Sequence, residues 1–314
     1  MKLLIPDTFE GPLELPADMQ DVEVVTYAAS TPVPDEHLDA EALVVWGNAS
    51  GTLAGLGDRM PNLRWVQSLA AGDDLILSGG FAPNVVLTGG VGLHNRTVTE
   101  HALALMLALV RRLPQAARSQ SERVWDPRLG GVQPLHPDGP VTTLLDARVL
   151  IWGFGGIAQT LAPILISLGA QVRGVARSAG TRAGVEVVAD VDAALPDADI
   201  LVMILPSGAA TDGALSAERM TALPDHAYVV NVGRGNSVDE SALVAALSEG
   251  RLAGAGLDVT AVEPLPADSP LWTAPNLLIT PHGAGGRPVG GGERIAANLA
   301  ALRAGTELSH VVSR

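Results

Sequence analysis

The chain has 314 residues, a length that favours two domains, each with its own hydrophobic core. Apolar residues make up 47% of it, which argues against disorder, and no apolar run is long enough to span a bilayer. It has no cysteine and a formal net charge of −14, which excludes disulfides and thiolate metal sites and argues against sequence-independent nucleic-acid binding. The apolar run at residues 1–6 is too short for a signal peptide, so we expect a cytoplasmic protein with no membrane or nucleic-acid partner.

The first ninety residues alternate short apolar strands with polar stretches. We predict strands at residues 2–6, 22–27, 42–46, 64–69 and 84–87. This alternation is typical of a small parallel sheet in an α/β domain. Small residues that include Ala71 and Gly72 follow the fourth strand. Open α/β sheets bind ligands at such strand ends, so this loop is a candidate ligand loop.

The next part of the chain predicts a long buried helix and then an extended connection. Residues 97–100 (TVTE) have the spacing of a capping box and predict a helix over residues 100–112. This helix is apolar around much of its circumference, so it must be buried on more than one side. Residues 118–141 are polar and rich in Pro and Gly, and we expect an extended connection there with Trp125 as its apolar anchor.

A glycine-rich turn follows this connection. Residues 149–158 (VLIWGFGGIA) predict a strand, a tight turn and the start of a helix that Gly169 closes. The pattern Gly153-x-Gly155-x-x-Ala158 fits a dinucleotide-binding fingerprint. Gly153 permits the turn, Gly155 lets a pyrophosphate approach the backbone, and Ala158 permits close helix packing. The amides at the helix N-terminus would then face the phosphates.

The rest of the chain continues the α/β alternation. We predict strands at residues 171–176, 185–188, 199–205, 227–232, 254–259 and 277–280, and helices at 239–248 and 293–303. The predicted fold is α/β with two doubly wound parallel-sheet domains. A dinucleotide-binding Rossmann domain, residues 94–283, is inserted into a discontinuous flavodoxin-like substrate domain made of residues 1–93 and 284–314.

Three polar residues follow late strands of the second predicted domain: Arg234, Glu263 and His282. The carboxyl ends of parallel strands are the ligand side of an α/β sheet. An arginine there can bind a carboxylate through two hydrogen bonds. A histidine beside a carboxylate can transfer a proton near neutral pH. Together with a dinucleotide, these groups supply the parts needed for hydride transfer.

These motifs resemble those of the D-isomer-specific 2-hydroxyacid dehydrogenases, and the resemblance covers essentially the whole chain. It is strongest in residues 231–240 (NVGRGNSVDE), 252–264 (LAGAGLDVTAVEP) and 269–282 (SPLWTAPNLLITPH). The resemblance implies a two-domain insertion with an active site between the domains. It also implies a homodimer formed through the long helix that follows the first crossing.

The same resemblance implies roles for individual residues. Arg234 would bind the carboxylate and carbonyl of a 2-keto acid, His282 would be the acid/base, and Glu263 would orient it. The backbone amides of Ala71 and Gly72 would hold the substrate carboxylate, and Asp258 would lie at the nicotinamide carboxamide. The residues implied in cofactor binding are Gly153, Phe154, Gly155, Gly156, Ile157, Arg177, Ser178, Leu205, Pro206, Val232, Gly233, Asp258 and Gly283.

The end of the second Rossmann strand predicts the cofactor. Relatives that use NAD carry an acidic residue there, whereas this chain has Ala176 followed by Arg177 and Ser178. The missing acid and the arginine that follows it favour the 2′-phosphate of NADP, with NAD left open.

The expected substrate is a small 2-keto acid such as glyoxylate or hydroxypyruvate. A phosphorylated acid would need a cationic cluster, whereas the candidate ligand loop ends in Asp73 and Asp74. The alternatives are a phosphoglycerate dehydrogenase, an enzyme that oxidises formate or phosphite on the same scaffold, and a non-catalytic dinucleotide-sensing protein similar to a corepressor.

Overall fold

The computed structural model describes residues 1–49 and 51–313 and divides the chain into two compact units. The first unit comprises Met1–His94 and Gly285–Arg314, and the second comprises Asn95–Ala284. The second unit is therefore an insertion in the sequence of the first.

The described residues form strands and helices with the following bounds. The strands are β1 (Lys2–Pro6), β2 (Glu23–Tyr27), β3 (Ala42–Val45), β4 (Trp65–Ser68), β5 (Val86–Thr88), β6 (Arg148–Trp152), β7 (Gln171–Val175), β8 (Gly180–Arg182), β9 (Val185–Val188), β10 (Ile200–Met203), β11 (Tyr228–Asn231), β12 (Gly254–Leu257) and β13 (Leu277–Ile279). The helices are α1 (Leu56–Arg59), α2 (Asp74–Leu77), α3 (Asn95–Val110), α4 (Leu113–Ser121), α5 (Gly156–Ser167), α6 (Ala217–Ala222), α7 (Glu240–Ser248) and α8 (Gly291–Ala304). Within the same residues, no helix has both the length and the apolarity needed to cross a membrane.

The first unit contains a parallel five-stranded sheet in the order β2-β1-β3-β4-β5. Successive residues of a strand point to opposite faces, so Leu3 and Leu4 enter different core clusters. Ile295 and Leu299 of α8 are fully buried in the cluster that contains Leu3. Because both faces are covered, the inner strands β1 and β3 are largely apolar and do not alternate, whereas β4 ends in the buried polar residues Gln67 and Ser68.

The second unit contains an eight-stranded sheet in the order β13-β12-β11-β10-β6-β7-β9-β8. All of its strand pairs are parallel except the edge pair of β8 and β9. From β6 the strands run outward in both directions, so the point of reversal lies at β6. Ligands of doubly wound sheets bind outside the strand ends at such a point.

The strands predicted from the sequence are all present, with ends shifted by at most two residues. Strand β8 was not predicted from the sequence. It pairs with β9 across a two-residue turn at Ala183 and Gly184. Both turn residues have positive φ, 50° and 76°, the backbone form that favours a tight hairpin. The Ala-Gly pair is a weak turn signal because alanine seldom adopts positive φ.

The predicted start of the long helix is wrong. Helix α3 begins at Asn95, so the supposed capping box lies inside the helix. The Thr99 hydroxyl donates to the carbonyl of Ile157, 3.3 Å away in α5, and does not cap its own helix. Packing against α5 explains the extra turn, because tertiary contacts supply most of a helix's stability.

The predicted extended connection is also partly wrong. Helix α4 covers Leu113–Ser121, and Pro114 stands in its first turn, where proline is tolerated. Trp125 is 94% exposed and therefore anchors nothing within this chain. The remainder of residues 118–141 holds a single short 3₁₀ turn, Pro127–Leu129, among the described residues.

A buried carboxylate ties three strands of the second sheet together at their N-terminal ends. Asp199, just before β10, accepts hydrogen bonds from the backbone amide (2.7 Å) and guanidinium (2.8 Å) of Arg148 in β6. It also pairs at 2.9 Å with His226, just before β11. Burial by itself would raise the pKa of Asp199, but the bonds from Arg148 and His226 outweigh it, and the pKa is lowered.

Replacement of Asp199 by alanine should lower the free energy of unfolding by about 2–4 kcal/mol, because Arg148 and His226 lose their buried carboxylate partner. Since the folded-state pKa is lowered, this stability is present above the unfolded pKa and is lost as the pH falls through the folded one. Urea unfolding at pH 7 measures the loss. The control is Asp197→Ala, which removes a 73% exposed carboxylate 3.7 Å from Arg148 and should cost no more than about 0.5 kcal/mol. Equal losses in the two variants would contradict the assignment.

Candidate functional site

The three polar residues singled out in the sequence follow neighbouring strands of the second sheet. Arg234 follows β11, Glu263 follows β12 and His282 follows β13. These strands pair in parallel, so their carboxyl ends meet at one edge. The fold thus brings the loops that carry the three side chains to the same side of the sheet.

Glu263 and His282 are in direct contact. The Nδ1 atom of His282 lies 2.7 Å from Oε2 of Glu263. The other carboxylate oxygen accepts the backbone amide of Thr260 at 3.0 Å, which holds Glu263 in place. The side chain of His282 is 48% exposed, so the imidazole is accessible to a ligand while one of its nitrogens faces a carboxylate. That contact fixes the orientation of the ring and places a proton on Nδ1, so Nε2 faces away from the carboxylate.

The backbone of His282 adopts an unusual conformation. Its φ is 49°, in the left-handed region that residues with a Cβ seldom occupy. Its amide donates to the carbonyl of Asp258 at 2.8 Å. The amides of Gly283 and Ala284 donate to the two oxygens of the Asp258 carboxylate at 2.9 and 3.0 Å. These hydrogen bonds fix the conformation of the turn and hold His282 in a strained backbone conformation, as is common at functional sites.

Asp258 is 2% exposed and has further partners in the second unit. The Thr280 hydroxyl donates to its Oδ1 at 2.6 Å. The Nε2 atom of His101, in α3, lies 3.1 Å from the same oxygen and 2.8 Å from the hydroxyl of Thr280. The carboxylate therefore supports the His282 turn, and its implied place at a nicotinamide carboxamide stays a prediction. Sequence reasoning missed His101, whose only signal is a polar ring in an apolar helix.

A buried amide shapes the turn that carries Arg234. The Oδ1 atom of Asn231, at the end of β11, accepts the amide of Gly233 at 3.0 Å, and its Nδ2 donates to the carbonyl of Arg234 at 3.0 Å. The Ser237 hydroxyl donates to the same carbonyl at 2.6 Å. Asn231 is fully buried, and its signal in the sequence is a polar residue that closes an apolar strand. One guanidinium nitrogen of Arg234 donates to the Gly233 carbonyl at 2.8 Å.

Gly235 brings the arginine turn against the loop of Glu263. A Cβ at Gly235 would lie 1.9 Å from the carbonyl carbon of Thr260, so no side chain fits there. Thr260 is the residue whose amide holds Glu263. The loops after β11 and β12 are therefore in backbone contact, which brings the turn of Arg234 against the loop that carries Glu263.

Two more glycines join the strand ends at the middle of the sheet. Gly153, after β6, has φ 102°, and a Cβ on it would lie 2.4 Å from the carbonyl oxygen of Ile204. A Cβ on Gly233 would lie 2.6 Å from the amide nitrogen of Leu205. The segment after β10, which includes Pro206, is thus in contact with both glycine turns. Val232, which precedes Gly233, is 6% exposed and packs in the core.

The turn between β6 and α5 fits a pyrophosphate. A Cβ on Gly155, the residue that caps α5, would meet no atom within 4 Å, so the space over the turn is open to a ligand. Gly156 and Ile157 open the helix, where amides have no preceding helical carbonyl to bond. The side chain of Phe154 is 2% exposed and lies under Gly174, so only its backbone can border a ligand.

The residues expected at the cofactor's ribose lie at the end of β7. Arg177 is exposed. The hydroxyl oxygen of Ser178 accepts a hydrogen bond at 2.7 Å from Arg182, a residue of β8 that sequence reasoning missed. This strand end therefore has a second arginine that belongs to the unpredicted hairpin.

Ala71 and Gly72 lie in the first unit, in the loop after β4. Among the described residues, their backbone amides have no hydrogen-bond acceptor. The Nε2 atom of His94 donates to the carbonyl of Leu69 at 2.7 Å and braces the start of this loop. Burial lowers the pKa of His94 against the opposing effect of that bond, so the ring is neutral at pH 7. The loop thus offers two amide donors suited to an anion.

Comparison with known proteins gives a family. Residues 103–284 match the family model described as D-isomer specific 2-hydroxyacid dehydrogenase, NAD binding domain. Over 286 residues the chain is 32% identical to glyoxylate/hydroxypyruvate reductase A of Salmonella paratyphi B, which covers 88% of this chain and 86% of that protein.

Solved structures show the same similarity. An NADPH-dependent glyoxylate/hydroxypyruvate reductase from Sinorhizobium meliloti, in complex with NADP and sulfate, has a TM-score of 0.80 at 26% identity, over 99% of this chain and 98% of that one. A D-isomer specific 2-hydroxyacid dehydrogenase from Xanthobacter autotrophicus, in complex with NADPH and MES, has a TM-score of 0.79 at 29% identity with the same coverage. The chain therefore belongs to the D-isomer-specific 2-hydroxyacid dehydrogenase family.

Proposed function

We propose that this protein uses NADPH to reduce a small 2-keto acid, such as glyoxylate or hydroxypyruvate, to the D-2-hydroxy acid. The observation that carries the proposal is the 2.7 Å contact between His282 and Glu263 beside the turn of Arg234. This arrangement supplies an acid/base and an anion clamp at the ligand edge of the sheet. The relatives called glyoxylate/hydroxypyruvate reductases support the same substrate class.

His282 delivers the proton in the direction of reduction. Its Nδ1 faces the Glu263 carboxylate, so Nε2 is the nitrogen that donates to the carbonyl oxygen of the substrate. Glu263 stabilises the protonated ring before the transfer and the correct tautomer after it. The product is the 2-hydroxy acid, whose new hydroxyl hydrogen comes from His282.

Arg234 binds and orients the substrate. A guanidinium fork matches the carboxylate of a 2-keto acid and can also polarise the adjacent carbonyl oxygen. Its turn is rigid because Asn231 and Ser237 hold the Arg234 carbonyl. The amides of Ala71 and Gly72, in the first unit, are donors suited to a substrate carboxylate. In this proposal residues 94–283 form the cofactor domain, and residues 1–93 with 284–314 form the substrate domain.

NADPH, when bound, supplies the hydride that reduces the carbonyl carbon. The first amides of α5, at Gly156 and Ile157, bind its pyrophosphate. Ala176 puts no negative charge near the ribose, and Arg177 and Ser178 are donors for the 2′-phosphate. The loops of Leu205, Pro206, Val232 and Gly233, together with Asp258 and Gly283, border the nicotinamide half.

The proposed substrate carries no second anionic group. Asp73 and Asp74 end the loop that would meet the substrate side chain, and they would repel a phosphate. A phosphate enclosed beside these carboxylates would lose its hydration with little compensation. This charge pattern favours glyoxylate or hydroxypyruvate over a phosphorylated 2-keto acid.

The first test is steady-state kinetics with NADPH and a panel of 2-keto acids. We expect glyoxylate and hydroxypyruvate to be reduced, and His282→Asn to lower kcat by about 10²-fold or more with an unchanged Kd for NADPH. The control His136→Asn changes a 68% exposed histidine and should keep wild-type kinetics.

Two outcomes would count against the proposal. Near-wild-type turnover in His282→Asn would remove His282 from the chemistry. A preference of more than about tenfold for phosphorylated hydroxypyruvate in kcat/KM would mean that a cationic subsite exists and that the substrate class is wrong. NADPH binding without turnover of any 2-keto acid would favour the dinucleotide-sensing alternative.

Replacement of Glu263 by glutamine should move the pH dependence of kcat. The variant keeps a hydrogen-bonding side chain but loses the charge that favours protonated His282, so the alkaline fall of the reduction rate should shift to lower pH. The Kd for NADPH should not change. Glu240→Gln is the matched control, because Glu240 accepts the amide of Ala261 in the same loop. A shift of equal size in the control would assign the effect to loop disorder.

We also infer that the protein is a cytoplasmic homodimer. Large apolar side chains around α4 and before β6 are exposed in the single chain: Leu113, Val124, Trp125, Val132, Leu135 and Leu145. Two open cavities of about 300 and 470 Å³ border this segment, and Arg112, Arg128 and Leu129 line both. Several exposed large apolar side chains within one segment support a second copy as the partner.

Sedimentation equilibrium at micromolar concentration should give about twice the mass of the chain. The double variant Trp125→Asp with Val132→Asp, at side chains 94% and 102% exposed, should sediment as a monomer because charges would be buried at the interface. Val24→Asp, on an exposed position of β2, is the control and should remain dimeric. A monomeric wild type, or a double variant that stays dimeric, would refute this interface.

A further inference from the structure

The β8–β9 hairpin returns a basic side chain to the end of β7. Arg182 is the last residue of β8 and pairs with Val185 of β9 across the two-residue turn. The turn residues Ala183 and Gly184 both have positive φ, which fixes the register of the hairpin. Since β9 pairs in parallel with β7, the backbone of Arg182 lies toward the N-terminal end of β7, and its long side chain extends back to Ser178, just after the carboxyl end.

The Arg182 guanidinium bridges two loops at this edge. Its Nη2 donates to the hydroxyl oxygen of Ser178 at 2.7 Å and to the carbonyl of Ser178 at 3.0 Å. Its Nη1 lies 3.3 Å from the carbonyl oxygen of Phe154, in the glycine-rich turn. Because the Ser178 oxygen accepts from Arg182, the hydroxyl hydrogen is directed to another acceptor.

The charge at this edge is not neutralised within the chain. Among residues 1–49 and 51–313, neither Arg177 nor Arg182 has a carboxylate partner. Glu186, which lies opposite Thr181 in the hairpin, pairs at 3.2 Å with Arg173. Two arginines without a carboxylate partner give this strand end a local positive charge within a chain whose net charge is −14, and this charge suits an anion.

We propose that Arg182 is a specificity-determining residue that binds the 2′-phosphate of NADP together with Arg177 and the hydroxyl of Ser178. Its guanidinium has donors beyond those used on Ser178 and Phe154, and a phosphomonoester on the ribose is the anion that a Rossmann fold presents at the end of the second strand. Arg182 also keeps Ser178 oriented as a donor toward that phosphate. The inference rests on the proposed use of NADPH and adds the residue that selects it.

The test is equilibrium titration of the protein with NADPH and with NADH, followed by cofactor fluorescence and without substrate. Arg182→Gln should raise the Kd for NADPH about tenfold or more and change the Kd for NADH less than twofold. Adenosine 2′,5′-bisphosphate, which keeps the 2′-phosphate of NADP and lacks the nicotinamide half, should lose affinity by a similar factor. The Kd of Arg182→Lys for NADPH should lie between those of the wild type and Arg182→Gln, because lysine keeps the charge and loses the planar guanidinium.

The matched control is Arg173→Gln, an arginine of the same sheet that is paired with Glu186. It should leave both dissociation constants unchanged. Ser178→Ala should weaken NADPH binding by a few-fold and spare NADH, and it tests the same subsite if Arg182→Gln folds poorly in a thermal melt.

Three results would overturn the inference: an equal loss for NADPH and NADH in Arg182→Gln, an unchanged affinity for both, or an unchanged affinity for adenosine 2′,5′-bisphosphate. The first would make Arg182 a brace of the glycine-rich turn, and the second would leave Arg177 as the selecting residue. Because the test measures cofactor binding and not turnover, its outcome is independent of whether the protein reduces a 2-keto acid. A protein that shows the Arg182 effect but reduces no 2-keto acid would refute the activity and retain this subsite.

Discussion

The buried carboxylate of Asp258 is the constraint on which the candidate site depends. It accepts the Thr280 hydroxyl and the amides of Gly283 and Ala284, and it lies 3.1 Å from His101. A buried carboxylate without such donors would be costly, so the loop after β13 must wrap around it. That wrapping gives His282 its left-handed backbone and points the imidazole at Glu263. The geometry of the acid/base pair is therefore a consequence of satisfying one buried charge elsewhere in the loop.

Close backbone contacts between loops hold the turn of Arg234 in place, just as the Asp258 carboxylate holds the loop of His282 in place. Gly235 lies against Thr260, and Gly153 and Gly233 lie against the segment after β10, at distances that leave no room for a Cβ. Each contact joins the carboxyl ends of neighbouring strands. The result is a continuous edge on which the loops of β6, β10, β11, β12 and β13 keep fixed spacings. Hydride transfer needs such fixed spacings, because reacting groups must be held near their productive geometry.

Charge is distributed unevenly along the same edge. The chain is strongly acidic overall, yet the end of β7 carries Arg177 and Arg182 without a carboxylate partner among the described residues. At the opposite ends of the strands, Asp199 is fully compensated by Arg148 and His226. Compensated charge at the N-terminal ends stabilises the sheet, whereas uncompensated charge at the carboxyl ends is available to a ligand. Charged residues at one end of the strands thus stabilise the sheet, and those at the other end are available for binding.

Several features could be predicted from the amino-acid sequence alone: the strands, the insertion of one α/β segment into another, the glycine-rich turn, and the polar residues that follow late strands. These features are local: buried parallel strands are apolar runs, and turns need particular residues at particular spacings. Tertiary structure alone decided the partners of Asp258, the first turn of α3 and the reach of Arg182 to Ser178. His101 and Thr280 are 179 residues apart, and no local spacing encodes their contact. Their meeting, like the exposure of Trp125, depends on how distant segments pack, because burial and hydrogen-bond partners are set by the folded neighbours and not by adjacent residues.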